Sequence, residues 1–261
     1  MSLDHIAQFV KLNDASCDKF LGGKLDIFQP KKGFRAGIDS VLLGASVAKD
    51  KQNLLELGAG AGVAALCALV NNDNLNASLL ENNELMLKLA HENILANGFV
   101  NRAKILDLDL TLAGEQRQAA GLKTDFYDCI IANPPFFDSG AGTQSVEQSR
   151  AKARHMPMAD LDKWVRVAAA SASPNGEVIF IFDIVGLLPL LNALESRFGE
   201  VKILPLISRA GQSCKRFMIK GIKGSKAPLK MLSPLFLHAT EGREFLPQID
   251  AIFRGEKSLD W

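Results

Sequence analysis

Cysteine is scarce in this 261-residue chain: four residues, at positions 17, 67, 129 and 214. Their wide spacing matches no metal-ligand pattern, and buried, reduced thiols in a cytoplasmic protein are the expectation. Aromatic side chains with a polar handle are also few, with one Tyr and two Trp. That argues against an extended stacking platform for single strands, though not against one flipped base. There is no charge surplus of either sign. The formal net charge is +1, so any nucleic-acid binding has to rest on local patches. No apolar run approaches the roughly 20 residues that span a bilayer. The start of the chain, with Asp4 and His5, lacks the basic-then-apolar order of a signal peptide. Internal repeats and low-complexity segments are absent. What remains is 48% hydrophobic and 23% charged, the composition of a soluble globular protein long enough to bury one α/β core.

Two motifs stand out against that background. The first is Leu54-Leu55-Glu56-Leu57-Gly58-Ala59-Gly60-Ala61-Gly62-Val63, an apolar strand running into glycines and then a helix. Glycine permits positive φ and close backbone approach to a ligand. The helix N-terminus offers free N–H groups to an anion. A nicotinamide fingerprint needs G-x-G-x-x-G, but here position 63 is Val, which weighs against a dehydrogenase. Glu56 would repel a pyrophosphate, yet it suits the cationic amino group of an amino-acid ligand, directly or through water.

The second motif is Asn133-Pro134-Pro135-Phe136, after the apolar run Cys129-Ile130-Ile131-Ala132. The Asn133 amide oxygen and the Pro134 carbonyl can each accept one N–H of a substrate NH2 group. Prolines at 134 and 135 remove competing backbone donors. Phe136 offers a flat surface to a planar substrate. Between the motifs lie acids at strand ends. Glu81 is placed to accept from ribose hydroxyls, about twenty residues after the glycines. Asp107 or Asp109 is placed to accept from an adenine amino group, with Asp109 slightly favoured.

From Leu54 onward, apolar runs alternate with helical patterns, implying βαβ units and a parallel sheet. The expected strands are 54–57, 77–80, 104–106, 129–132, 178–182 and 201–206, with 216–220 returning antiparallel as an edge hairpin. The expected helices are 63–70, 84–97, 158–172 and 187–197. Ser173-Pro174-Asn175-Gly176 reads as a turn before the fifth strand. Residues 1–50 read as an N-terminal extension packing on the core, with a hairpin around Gly22-Gly23 to Gln29. Asp39-Ser40 reads as the cap of a short helix over 41–47. The catalytic domain is expected over 51–261. Gly58, Glu81, Asp109 and Asn133 would all fall on the carboxyl rim of the sheet, where ligands bind in such folds.

With these residues in view, the chain resembles the class I S-adenosylmethionine methyltransferases: Glu56 to Gly62, Glu81, and Asn133-Pro134-Pro135-Phe136. The segment Phe28 to Leu43, with Gly33-Phe34-Arg35-Ala36-Gly37-Ile38-Asp39-Ser40 at its centre, is similar to bacterial tRNA(Val) adenine-N6 methyltransferases. The resemblance covers roughly residues 20 to 255. It implies a Rossmann-like doubly wound sheet, mostly parallel with an antiparallel C-terminal hairpin. It also implies S-adenosyl-L-methionine as cofactor, no metal, and adenine N6 in tRNA as the target. A protein glutamine amide and guanine N2 are rival targets, since the same two acceptors serve them. A cofactor-binding module without transferase activity is a rival of another class. The cofactor would lie against Glu56, Gly58, Gly60, Gly62, Glu81, Asp109 and Asn133. Substrate contacts are expected from Phe34, Arg35, Arg150, Lys152 and Arg154. Lys215 to Lys230 is a second basic region. The polar stretch from Asp138 to His155 is longer than the resemblance implies.

Overall fold

The computed structural model describes residues 15–135 and 160–261. The N-terminal hairpin is β1 (Ala15–Phe20) and β2 (Leu25–Pro30), followed by helix α1 (Ile38–Ala45). Next come β3 (Asn53–Leu57), α2 (Val63–Asn71), β4 (Asn76–Glu81), α3 (Glu84–Ala96), β5 (Ala103–Asp107), α4 (Gly114–Ala119) and β6 (Tyr127–Ala132). The remaining elements are α5 (Asp160–Ser171), β7 (Ala172–Asp183), α6 (Leu187–Glu195), β8 (Phe198–Ile207), β9 (Arg216–Lys223), β10 (Lys230–Met231), β11 (Leu235–Phe236) and α7 (Pro247–Phe253).

The main sheet has the order β10-β8-β9-β7-β6-β3-β4-β5, with β11 also on β8. Every pairing is parallel except those of β9 with β7 and β8. The strands read as near-continuous apolar runs because both faces are covered. Leu54, Cys129 and Ile131 face a core built with α1, α2, α3 and the N-terminal hairpin. Leu55, Leu57, Ile130 and Ala132 face the other core, with α5 and α6. Strand order reverses between β3 and β6, so the turns after these two strands flank the switch point where ligands enter such sheets.

Four expectations need correction. Ser173 to Gly176 is no turn ahead of a strand; it lies within β7 as a bulge. There Asn175 has φ +62°, and a Cβ on Gly176 would sit 2.9 Å from both the Ser173 and Tyr127 carbonyl oxygens. The β8–β9 hairpin is not the bare edge, since the two-residue strands β10 and β11 lie against β8. Asp39 does not cap α1: the N-cap is Gly37, with no side-chain bond, and Asp39 lies in the first turn, ion-paired to Arg216 at 2.9 Å. Only Cys67 and Cys129 are buried, while Cys17 is exposed and Cys214 is half-buried.

The N-terminal hairpin is tied to the core by Asn93, fully buried on α3. Its Oδ1 accepts from Phe28 N (2.6 Å), and its Nδ2 donates to Phe28 O (3.1 Å) and Ala61 O (2.9 Å). One amide therefore holds both β2 and the glycine turn.

Candidate active site

Each glycine of the turn has positive φ: +61° at Gly58, +54° at Gly60 and +81° at Gly62. Their roles differ. A Cβ on Gly58 would meet Trp164 at 2.4 Å, and one on Gly62 would meet Leu79 at 2.5 Å. These two glycines allow close packing. Gly60 has no atom within 4 Å of an ideal Cβ, so its backbone faces open space on the rim.

That space is a cleft of about 480 Å³, lined by Gly58 and Gly60, by Glu81-Asn82-Asn83 after β4, by Asp109, and by Asn133 and Pro135 after β6. Phe34 and Trp164 also line it. Asp107 does not, so of the two aspartates only Asp109 reaches the cleft. The Asp109 carboxylate accepts from Thr111 N and Oγ1, each at 2.8 Å. Those hydrogen bonds hold its pKa below the usual carboxylate value.

Glu81 is heavily committed. Its Oε1 accepts from Asn82 N and Asn83 N, both at 2.9 Å, and its Oε2 from Gly60 N at 2.8 Å. A carboxylate has about four acceptor positions, so one remains, on Oε2. The expectation that Glu81 takes both ribose hydroxyls therefore needs the Gly60 bond to give way. The present geometry offers one.

Glu56 points to the α2 side of the sheet, like Leu54. Its Oε2 accepts from Ala65 N at 2.9 Å. It is buried, and desolvation pushes its pKa from 4.5 up to about 8, against the lowering effect of that backbone bond. It lines a cavity of about 20 Å³ with Gly58, Ala59, Phe34 and Asn133. That is room for about one water, so a bridged contact to a ligand amino group fits better than a direct one.

Asn133 carries the strongest signal. Its Oδ1 is buried and has no hydrogen-bond partner among the described residues. An unsatisfied buried acceptor costs about 1–3 kcal/mol. Asn133 and Phe34 are also the two residues common to the 480 Å³ cleft, the small cavity and a second, larger cleft. The second cleft, about 1050 Å³, opens between residues 34–42 and the β8–β9 turn. Arg35 lines it, but its guanidinium is held by Asp18, Ser16 Oγ and Pro30 O. Phe136, Arg150, Lys152 and Arg154 lie outside the described residues.

The residues present fit S-adenosylmethionine. Gly60 leaves a cradle that a side chain would fill. Glu81 keeps one acceptor for a hydroxyl, Glu56 is a buried acid with room for a bridging water, and the cleft is of ligand size.

Residues 36–204 match the model of the methyltransferase small domain. The chain belongs to that family. It is 30% identical to the tRNA1(Val) (adenine(37)-N6)-methyltransferase of Porphyromonas gingivalis (strain ATCC 33277) over 72% of this chain and 76% of that protein. It is 28% identical to the enzyme of the same name from Haemophilus influenzae (strain PittGG), over 77% of this chain and 83% of that one. A 34% match to the same-named protein of a Flavobacteriaceae bacterium (strain 3519-10) spans 44% of this chain and about half of the relative, 47%. Among solved structures, one from Agrobacterium tumefaciens described as a predicted O-methyltransferase superposes with TM-score 0.72 at 27% identity, over 85% of this chain and 98% of the other. A Thermus thermophilus 16S rRNA N2 G1207 methyltransferase shares the fold at TM-score 0.53 and 18% identity, over 80% of this chain and 50% of that one. The fold is that of S-adenosylmethionine-dependent methyltransferases, as the doubly wound sheet implied.

Sequence reasoning missed several residues that line the 480 Å³ cleft. Trp164 and Lys163 reach the cleft from α5, and Met86 from α3. Trp164 is 6% exposed, and its signal was a lone Trp on the apolar stripe of an amphipathic helix. Asn93 left no signal, because a mid-helix Asn reads as solvent-facing. Among the described residues no helix is long and apolar enough to cross a membrane, and no cluster of three or more His, Cys, Asp and Glu could hold a metal.

Proposed function

We propose that the protein transfers a methyl group from S-adenosylmethionine to N6 of adenine in tRNA, in the cytoplasm. Residues 51–261 form the catalytic domain in this reading, and residues 1–50 an extension packed on it. The observation that carries it is the Oδ1 of Asn133, buried where the two clefts meet and without a hydrogen-bond partner among the described residues. The names of the relatives, each an adenine(37)-N6 enzyme for tRNA1(Val), support adenine 37 of that tRNA as the target.

Bound in the 480 Å³ cleft, the cofactor supplies an electrophilic methyl. This chain's part is to present the nucleophile. An adenine amino nitrogen is weakly nucleophilic because its lone pair is delocalised into the ring. Asn133 Oδ1 and the Pro134 carbonyl accept its two N–H groups and draw it toward tetrahedral geometry, with the lone pair facing the cofactor cleft. No strong base is needed, since the nitrogen becomes acidic once methylated. Positioning supplies most of the rate gain, and effective molarities of about 10^5 M are available to it. Phe34, 36% exposed at the junction, and Phe136 are the rings for the flipped base, worth about 1–3 kcal/mol of stacking. Asp109 accepts from the cofactor adenine, and Arg150, Lys152 and Arg154 contact phosphates.

The test is methyl transfer from labelled S-adenosylmethionine to tRNA1(Val), followed by mass spectrometry of the nucleosides. N6-methyladenosine should appear with wild-type tRNA and be absent when adenine 37 is replaced by guanine. Transfer that survives RNase digestion of the substrate would point to a protein amide instead.

A further inference from the structure

Among the described residues, the wall of the 1050 Å³ cleft carries three cations: Arg35, Lys215 and Arg216. Two are committed to carboxylates. Arg35 is bound to Asp18. Arg216 Nε lies 2.9 Å from Asp39, and its Nη1 lies 3.8 Å from Asp183. These pairs leave the wall close to neutral around Asn133, which suits a neutral heterocycle better than a run of phosphates. Lys215 differs from its neighbours. It is exposed, it has no ion pair among the described residues, and it precedes β9 at the end of the β8–β9 turn. That turn lies on the carboxyl rim, because β8 runs in the same direction as β7 and β6. Ser208, Gln212 and Ser213 of the same turn line the cleft and add neutral donors.

We propose that Lys215 grips the phosphate beside the target nucleotide, at the mouth of the cleft that ends on Asn133. This rests on the RNA reading above and goes further by giving one phosphate, apart from those met by Arg150, Lys152 and Arg154, to a single residue. A nucleotide flipped toward Asn133 carries its backbone at the cleft mouth. A single phosphate there meets Lys215, since Asp39 and Asp183 hold the adjacent Arg216. The lysine acts as a point charge on a flexible stem, which tolerates the backbone geometry of a loop.

Lys215→Ala should raise KM for tRNA about tenfold, the scale of one lost charge-assisted hydrogen bond, with kcat and cofactor binding by calorimetry nearly unchanged. The slope of log affinity against log salt should flatten by about 0.7–0.9, the share of one phosphate. Lys215→Arg should restore most of that slope. Lys104→Ala, an exposed position on β5 at the opposite end of the sheet, should leave it unchanged. If wild type methylates tRNA and Lys215→Ala keeps the wild-type KM and slope, the assignment is overturned while the RNA reading stands. If wild type binds the cofactor but neither binds nor methylates RNA, both fall together.

Discussion

Gly60 and Asn133 are neighbours on one rim and make opposite demands on it: one must lack a side chain, the other must present one. Gly60→Val places a branched side chain at φ +54° in the open space that the turn leaves in the cleft. Calorimetry should show loss of S-adenosylmethionine binding with far-UV dichroism unchanged. Asn133→Ala removes an acceptor that has no partner among the described residues. Methyl transfer should fall about 10^2-fold, roughly 3 kcal/mol of transition-state stabilisation, while cofactor affinity stays within about twofold. A turnover near that of wild type would show that the amino group is held elsewhere. Glu56 gives a pH signature. Its folded pKa of about 8 lies above the unfolded value, so the folded state holds a proton between about pH 4.5 and 8 that the unfolded state has lost. Stability from this group is full below about pH 4.5 and declines as pH rises through 8. Glu56→Gln should remove that decline, so the variant should melt higher than wild type at pH 8.5 without cofactor. Cofactor affinity should show the converse sign. In the proposed reading the cofactor ammonium is held by ionised Glu56 through the bridging water, so wild-type binding should strengthen from pH 6 to 8, and the mutant should lose that trend.

Between residue and molecule stand the elements that carry the rim. The glycine turn is held by β3, by the α2 N-terminus and by Asn93 from α3, whose Nδ2 donates to Ala61 O. Asn93→Leu would leave Phe28 N–H, Phe28 C=O and Ala61 C=O without that partner. At about 1–3 kcal/mol for a buried unsatisfied group, the loss should be about 3 kcal/mol or more in urea unfolding. Cofactor affinity should fall as well, because Ala61 is part of the turn. The strands behind the rim were legible because they are buried on both faces, and an unbroken apolar run of four to six residues has few other readings. Helix α1 was less so. Asp39 had every local mark of a cap, but a guanidinium from β9, 177 residues away in sequence, captured its carboxylate. The bulge in β7 was misread for the same kind of reason. Pro-Asn-Gly favours a turn locally, yet Ala172 pairs with Tyr127 and Glu177 with Cys129 of β6, so the four residues between them are held as a bulge inside the strand.

At the scale of the whole molecule, residues 259–261 brace α1, which lines the 1050 Å³ cleft. Leu259 N donates to Ala45 O at 2.8 Å, Trp261 Nε1 donates to Ser46 O at 3.3 Å, and Lys220 lies 5.0 Å over the Trp261 ring. Removing residues 259–261 deletes the buried Leu259 side chain and its backbone bond to Ala45, and loosens the end of α1. A loss of about 2–3 kcal/mol, or about 5–10 °C in Tm, should follow in a thermal melt, with KM for RNA rising more than the cofactor Kd. The rim itself was visible beforehand as types and spacing. Glycines after one strand, an acid after the next, and Asn-Pro-Pro after a fourth state which chemistry is available, because strand ends in a parallel sheet share one edge. Spacing along a chain could not say which partners are already taken. Folding gave Glu81 three backbone donors, tied Arg35 to Asp18, packed Gly58 under Trp164, left Asn133 Oδ1 without a partner among the described residues, and left space beside Gly60. Those outcomes depend on contacts between residues tens to hundreds of positions apart. Local propensity contains no term for them, so saturation and vacancy around the rim are properties of the assembled molecule alone.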